Sequence, residues 1–375
     1  MGIAHSDPLD LFSPTTREWF VSTFDAPTAA QAGAWEAIAG GHNSLVIAPT
    51  GSGKTLAAFL WALDSLARLA GTPDRPTSTR VLYVSPLKAL AVDVERNLRT
   101  PLTGLTRIAE RRGLPPPDIS VGVRSGDTPP ALRRQLIAKP PDVLITTPES
   151  LFLMLTSAAR ETLAGVQTVI VDEIHAIAAG KRGAHLALSL ERLDELSRDH
   201  DLPQDRRDGR PAQRIGLSAT VRPPEELARF LSGGAQTTRT TVVAPPSTKT
   251  LELSVQVPVP DMANLANNTI WPDVEARLVD LIESHSSTIV FANSRRLAER
   301  LTARLNEIHA ERAGIELSPQ TNPRVPGGAP AHMMGSGQTF GADAVLARAH
   351  HGSVSKEQRA LVEEDLKRGL LKAVV

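Results

Sequence analysis

Thr50-Gly51-Ser52-Gly53-Lys54-Thr55 stands where one periodicity gives way to another. Ahead of it lies the apolar run Ser44–Ala48, short enough for a buried strand. Behind it Leu56, Phe59, Leu60, Leu63 and Leu66 recur at helical spacing. Strand, glycine-rich turn, Lys-Thr and helix make the layout of a phosphate loop. Two glycines let the backbone curl until its N–H groups point inward, and the positive end of the following helix adds to that field. Lys54 then reaches the outer phosphates of a nucleoside triphosphate, and the Thr55 hydroxyl can ligate Mg²⁺. The strict spacing wants glycine at position 48, where this chain has Ala48. A plain helix-capping turn would carry the same glycines, but the flanking strand and helix favour a site for ATP or a relative of it.

Further short β-rich runs follow at Val81–Val84, Ile119–Val123, Val143–Thr146, Thr168–Val171 and Ile215–Ser218, separated by helical patterns. This alternation predicts an α/β fold with a parallel sheet covered by helices on both faces. Asp199–Pro211 reads as a polar surface loop, and a composition break at Ser232–Lys249, rich in Ser, Thr, Gly and Pro, marks a domain boundary. A second domain opens with a helix around Trp271–Glu283, a strand Thr288–Phe291 and a helix Arg295–Ile308. Residues from about 310 to 343 are Gly/Pro-rich and read as a flexible insertion. A helix from Ser355 to about Arg368 and the apolar Ala373-Val374-Val375 follow. An ending inside an apolar strand gives the expectation that this is a piece of a longer protein.

Composition narrows the partners. Lys+Arg and Asp+Glu both number 41, so any basic track for nucleic acid must be local, as around Arg295-Arg296. The absence of cysteine rules out disulfides and thiolate metal sites. No apolar run approaches the roughly 20 residues of a membrane helix, and Met1–Leu11 lacks the charge pattern of a secretory leader. The expected address is the cytoplasm. Aromatics at 3% argue against a surface that binds single strands mainly by stacking bases.

Val169-Ile170-Val171 runs into Asp172-Glu173-Ile174-His175. A parallel sheet presents ligand-binding groups at the carboxyl ends of its strands. There Asp172 would hold Mg²⁺, and Glu173 would orient and deprotonate an attacking water. An acidic pair can also simply cap the next helix; the phosphate loop upstream favours the active-site reading.

Phosphate loop, Asp-Glu-Ile-His and Ser218-Ala219-Thr220, in this order and spacing, resemble a superfamily 2 helicase of the DExH type. Phe24, Pro27-Thr28 and Gln31 resemble its Q-motif, Ser85-Pro86-Leu87-Lys88-Ala89-Leu90 motif Ia, and Thr146-Thr147-Pro148-Glu149-Ser150-Leu151 motif Ib. Ile289-Val290-Phe291-Ala292-Asn293-Ser294-Arg295 resembles motif IV. The phrases TFDAPTAAQ, LVIAPTGSGKTLAAFLWALDSL, SPLKAL and HHGSVSKEQR are similar to the bacterial Lhr (large helicase-related) group.

The resemblance implies a RecA-like domain over residues 1–240, a linker at 241–256 and a second, incomplete RecA-like domain over 257–375. It implies that Gln31 reads the adenine edge with Phe24 near it. Thr50, Gly51, Ser52, Gly53, Lys54 and Thr55 would hold ATP·Mg²⁺, and Lys54, Asp172, Glu173 and His175 would serve hydrolysis. Ser218 and Thr220 would couple nucleotide state to domain movement. Lys88, Arg124, Thr146, Thr147, Arg295 and Arg296 would contact a nucleic-acid backbone, either single-stranded DNA or an RNA:DNA duplex, without reading sequence. An RNA-directed enzyme, a clamp that does not unwind and a ring-forming protein-directed ATPase are the alternatives; Ser218-Ala219-Thr220, the Q-motif and motif IV argue against the last. Motifs V and VI have no counterpart in the 375 residues, so the expectation is ATP binding with slow hydrolysis. His350-His351 has no third ligand beside it and is not read as a metal site.

Overall fold

Six of the runs that alternate with helices, and a seventh segment not among them, come together as parallel strands in the computed structural model, which describes residues 7–72, 78–198, 210–233, 240–246, 252–263, 265, 269–315 and 346–375. Two compact units divide the chain, residues 1–249 and 250–375. The first contains β1 (Asn43–Ile47), β2 (Val81–Val84), β3 (Val121–Arg124), β4 (Val143–Thr146), β5 (Thr168–Val171), β6 (Gln213–Ser218) and β7 (Thr240–Val243). Their order across the sheet is β3-β4-β2-β5-β6-β1-β7, every pair parallel. Residues 241–243, expected at the start of the linker, instead lie in β7 and pair with β1. Four β-branched residues suit that edge, although their Ser/Thr/Gly/Pro-rich surroundings hide them.

Among the described residues, nine α-helices of this unit pack around the sheet: α1 (Pro14–Thr23), α2 (Ala29–Ala39), α3 (Lys54–Ala67), α4 (Lys88–Arg111), α5 (Pro130–Ala138), α6 (Pro148–Leu155), α7 (Ile174–Ala178), α8 (Lys181–Ser197) and α9 (Pro224–Ser232). The five inner strands are buried on both faces, so alternate residues feed two cores. Val46, Tyr83, Ile145, Ile170 and Ile215 meet α1 to α4 through Trp35, Phe59 and Leu63. Leu45, Leu82, Leu144, Val169 and Val171 meet α6 to α9 through Leu151, Leu186 and Leu190. Helix starts follow local chemistry: Thr28 opens α2 in a capping box with Gln31, and Thr147 caps α6 ahead of Pro148.

The second unit contains α10 (Trp271–Ser284), β8 (Thr288–Ile289), α11 (Arg295–Arg312), β9 (Ala347–Arg348), α12 (Lys356–Lys367) and β10 (Ala373–Val374). Its strands are parallel in the order β8-β10-β9. Asn306 on α11 ties the sheet to the helix layer. Its Oδ1 accepts from the N–H groups of Leu346 and Ala347, and its Nδ2 donates to Ala347 O at 2.8 Å. The expected strand Thr288–Phe291 is shorter than its apolar run, and Phe291 is 91% exposed. The expected insertion lies mostly outside the described residues: 310–312 belong to α11, and 316–343 are not described. Most of the expected 199–211 loop also falls outside them. No described helix is long and apolar enough to cross a membrane.

Candidate nucleotide site and nucleic-acid face

Register lines up the motifs along one edge of the large sheet. Across it, Arg124 pairs with Thr146, Val84 with both Thr146 and Val171, and Ile47 with Ser218. Each motif begins at or just beyond the carboxyl end of its strand, where an open parallel sheet receives ligands.

The phosphate loop leaves β1 and enters α3. Gly51 and Gly53 have φ of 83° and 80°, the left-handed region where a side chain is strained. A Cβ on Gly53 would also lie 2.5 Å from Gln31 Nε2. The loop is therefore glycine for two separate reasons, backbone conformation and the approach of the Q-motif side chain. Gln31 is fixed from its other end, where Oε1 accepts the Thr28 N–H at 2.9 Å, while Thr28 Oγ1 donates to Ser52 O at 2.9 Å. Phe24 closes α1 beside this junction, 40% exposed, its ring 4.9 Å from Phe20 and edge-on to Trp19. An aromatic so placed can lie against a base.

Lys54 is only 6% exposed, and its Nζ has no hydrogen-bond partner; neither has the buried Ser52 Oγ. A buried ammonium without a counter-group is costly. Its presence at the N-terminus of α3, among N–H groups that attract anions, marks the position of a polyanionic ligand. Thr55 follows, half-buried, in the first turn. These residues fit a triphosphate with Mg²⁺, which needs few protein ligands because phosphate and water oxygens complete its shell.

At the end of β5, Asp172 is held at both oxygens. Oδ1 accepts the Glu173 N–H at 3.0 Å, and Oδ2 accepts the hydroxyl of Tyr83. Tyr83, the sole tyrosine of the chain, was not singled out in the sequence. Burial first, then the Asp172 carboxylate, pushes its phenol far above the usual range, so it stays a neutral donor. Glu173 adopts φ 42° and ψ 45°, the one non-glycine residue with positive φ among the described residues. Such a conformation costs about 1–3 kcal/mol and tends to occur at functional sites. It opens α7, whose first turn closes through Ala176 N–H to Glu173 O at 2.8 Å.

His175 links this turn to Ser218. Its Nδ1 lies 3.0 Å from Ser218 Oγ and 3.4 Å from Glu173 Oε2. Ser218 Oγ also donates to the carbonyl of Thr220 at 3.4 Å. A carbonyl can only accept, so the consistent arrangement has His175 Nδ1–H donating to Ser218. Ser218 thus reaches the acidic turn directly, whereas Thr220 joins through its backbone and exposes its side chain.

The motif Ib threonines are engaged within the fold. Thr146 is fully buried and donates its hydroxyl to Arg124 O at 2.8 Å. Thr147 is buried too, donating to Ser150 Oγ at 3.1 Å and capping α6 by accepting the Ser150 N–H. Both hydroxyls serve the fold, so a phosphate would meet the helix start rather than these side chains. Arg124 is half-buried with Nη1 unpartnered, and burial, then nearby Arg133, depresses its pKa. A buried cation lacking a counter-group again suits an anion. The Lys88 side chain lies outside the described residues. In the second unit Arg295 is exposed and donates to Ser353 Oγ at 3.0 Å, and Arg296 is exposed. His350 and His351 pair with Glu363 and Glu299.

Arg182, at the start of α8, bonds both nucleic-acid motifs. It donates to Pro86 O in motif Ia at 3.1 Å and to Glu149 in motif Ib at 2.7 Å, holding the Glu149 carboxyl below its usual range. Nothing in the sequence sets Arg182 apart from the other arginines of the chain.

Comparison with known proteins agrees with this geometry. The pattern defining the DEAD/DEAH box helicase family matches residues 28–228. The Lhr helicase and probable uracil glycosylase of Mycolicibacterium smegmatis is 73% identical over 370 residues, 99% of this chain and 24% of that protein. The Lhr helicase and uracil glycosylase of Escherichia coli is 49% identical over 388 residues, 98% of this chain and 24% of that protein. The chain thus spans about a quarter of the length of these curated relatives. A solved structure of Mycobacterium smegmatis Lhr bound to ssDNA and AMP-PNP superposes with a TM-score of 0.75 at 68% identity, covering 99% of this chain and 42% of that one. With a RecA-like sheet, phosphate loop and Asp-Glu-Ile-His turn arranged on one edge, the chain belongs to the DEAD/DEAH box helicase family and is homologous along almost its whole length to the Lhr helicases.

Proposed function

We propose that these residues are the nucleotide-binding part of an ATP-driven helicase or translocase acting on nucleic acid in the cytoplasm. The observation that carries this reading is the buried, unpartnered Lys54 ammonium beneath the phosphate loop, on the sheet edge that also bears Asp172 and Glu173. Lys54 binds the outer phosphates as a point charge. Thr55 and Asp172 are the residues that would hold Mg²⁺, which supplies positive charge to the phosphate oxygens. Glu173 orients a water and accepts its proton. Ser218 passes the state of that turn to the strand beside the phosphate loop through His175.

Similarity to a relative solved with ssDNA and AMP-PNP supports single-stranded DNA as the tracked strand. Half-buried Arg124 and the start of α6 offer it backbone rather than base contacts. The full-length protein would move 3′→5′ and unwind DNA or RNA:DNA duplexes, in a DNA-repair setting. On their own the 375 residues would bind ATP·Mg²⁺ and hydrolyse it slowly, because none of them matches the arginine-rich motif that stabilises the transition state, which is worth about 10³–10⁵ in rate. The test is equilibrium binding of ATP·Mg²⁺ together with steady-state hydrolysis, with and without single-stranded DNA. Binding with negligible turnover supports the reading, absence of binding removes it, and fast DNA-stimulated turnover overturns the account of the missing arginine.

A further inference from the structure

Tyr83 sits in the middle of a strand otherwise made of aliphatic residues, and its placement follows from the sheet. On β2 it lies opposite Ile170 of β5 in the parallel register. Side chains alternate along a strand, so Asp172, two residues beyond Ile170, shares its face. A phenol is long enough to run along that face and deliver its hydroxyl to the carboxylate at the strand end, as the bond to Asp172 Oδ2 records. The ring is fully buried and stacks on Phe59 of α3, centroids 5.0 Å apart and planes 21° from parallel. Phe59 is five residues beyond Lys54 on the helix that begins at the phosphate loop.

We infer that Tyr83 is a positioning residue for the metal–nucleotide site: its hydroxyl fixes the Asp172 carboxylate in the orientation that receives Mg²⁺. This rests on the nucleotide-site reading given above. With Oδ1 held by the Glu173 N–H and Oδ2 by Tyr83, rotating the carboxylate would break both bonds. Hydrogen bonds to an ionised acceptor are the stronger kind. The tyrosine thereby does for this carboxylate what outer partners do for metal ligands generally.

Tyr83→Phe keeps the ring and removes the hydroxyl. Binding of a fluorescent, non-hydrolysable ATP analogue to the chain, titrated with Mg²⁺, should need about 10-fold more Mg²⁺ for the half-maximal effect. Affinity in EDTA should match wild type. Phe59→Leu, which keeps the hydroxyl, should leave the Mg²⁺ requirement near wild type. A folded Tyr83→Phe protein with unchanged Mg²⁺ dependence overturns the inference, and so does an equal shift in Phe59→Leu, which would assign the effect to ring packing. Should Tyr83→Phe not fold, the lone tyrosine allows a second route. 3-Fluorotyrosine incorporated throughout labels this one position, and its ¹⁹F resonance should move on adding Mg²⁺ to the nucleotide-bound chain. A resonance indifferent to Mg²⁺ sinks the proposal. If wild type binds the analogue equally with and without Mg²⁺, the metal part of that reading fails and takes the inference with it; if wild type does not bind the analogue at all, the nucleotide-site reading itself fails.

Discussion

The two ends of the sheet edge treat their polar groups in opposite ways. Around the phosphate loop, Lys54 Nζ and Ser52 Oγ are buried without partners, and Glu173 is held in a left-handed conformation. Around motif Ib, Thr146 and Thr147 are equally buried, yet each hydroxyl is already bonded, one to a strand carbonyl and one to a helix cap. The first region keeps buried donors that a ligand could engage. The second has its threonine hydroxyls already engaged, and beside it the half-buried Arg124 and Arg133 have unmatched donors. Affinity for nucleotide should therefore depend on individual side chains. Affinity for nucleic acid should be spread over backbone and field, while the same threonines carry stability.

The largest test of that contrast is Glu173→Gln in the full-length protein. ATP turnover with saturating single-stranded DNA should fall by about 10²–10⁴, with nucleotide affinity retained in equilibrium binding. A parallel loss of affinity would show that Glu173 holds nucleotide instead of serving the water. Next in size, Lys54→Ala should weaken nucleotide binding by about 100-fold, the scale of a lost hydrogen bond to a charged group. The melting temperature of the nucleotide-free protein should stay level or rise, because an unpartnered buried ammonium is removed. A clear drop in melting temperature would mean that Lys54 supports the fold and would erase the contrast.

The nucleic-acid end should respond differently. Arg124→Ala should reduce the slope of log affinity for single-stranded DNA against log salt by about 0.7, the signature of one lost phosphate contact. An unchanged slope would place Arg124 outside the interface. The smallest effect on binding belongs to Thr147→Ala. Loss of the α6 cap should destabilise the protein by about 1 kcal/mol in denaturant titration, while affinity for DNA stays close to wild type. A large loss of affinity with no change in stability would reverse the roles assigned to the two ends.

The sheet and the main site residues were legible because their signals are local. A strand buried on both faces must be an apolar run, and a phosphate loop must place glycines before Lys-Thr. What escaped depends on neighbours distant in sequence. Tyr83 does not stand out within its strand, although a hydroxyl among aliphatic neighbours must find a partner. β7 lay hidden because its four residues are too few to show a period against a Ser/Thr/Gly/Pro background. The left-handed backbone of Glu173 has no residue-type signal, since glutamate is not selected for that conformation. Thr146 and Thr147 read as phosphate contacts because a helix start and adjacent hydroxyls look alike whether or not the hydroxyls are engaged. Only the Arg124 carbonyl and Ser150 decide it.

One guanidinium gives the nucleic-acid face a mechanical property. Arg182 reaches Pro86 and Glu149, residues separated by more than half a hundred positions in the chain, from the start of α8. Motifs Ia and Ib are thus stapled to a common post. Any displacement of that post reaches both at once, so the track proposed for a strand would present itself as a single plate, with slippage of one motif against the other resisted from within the fold.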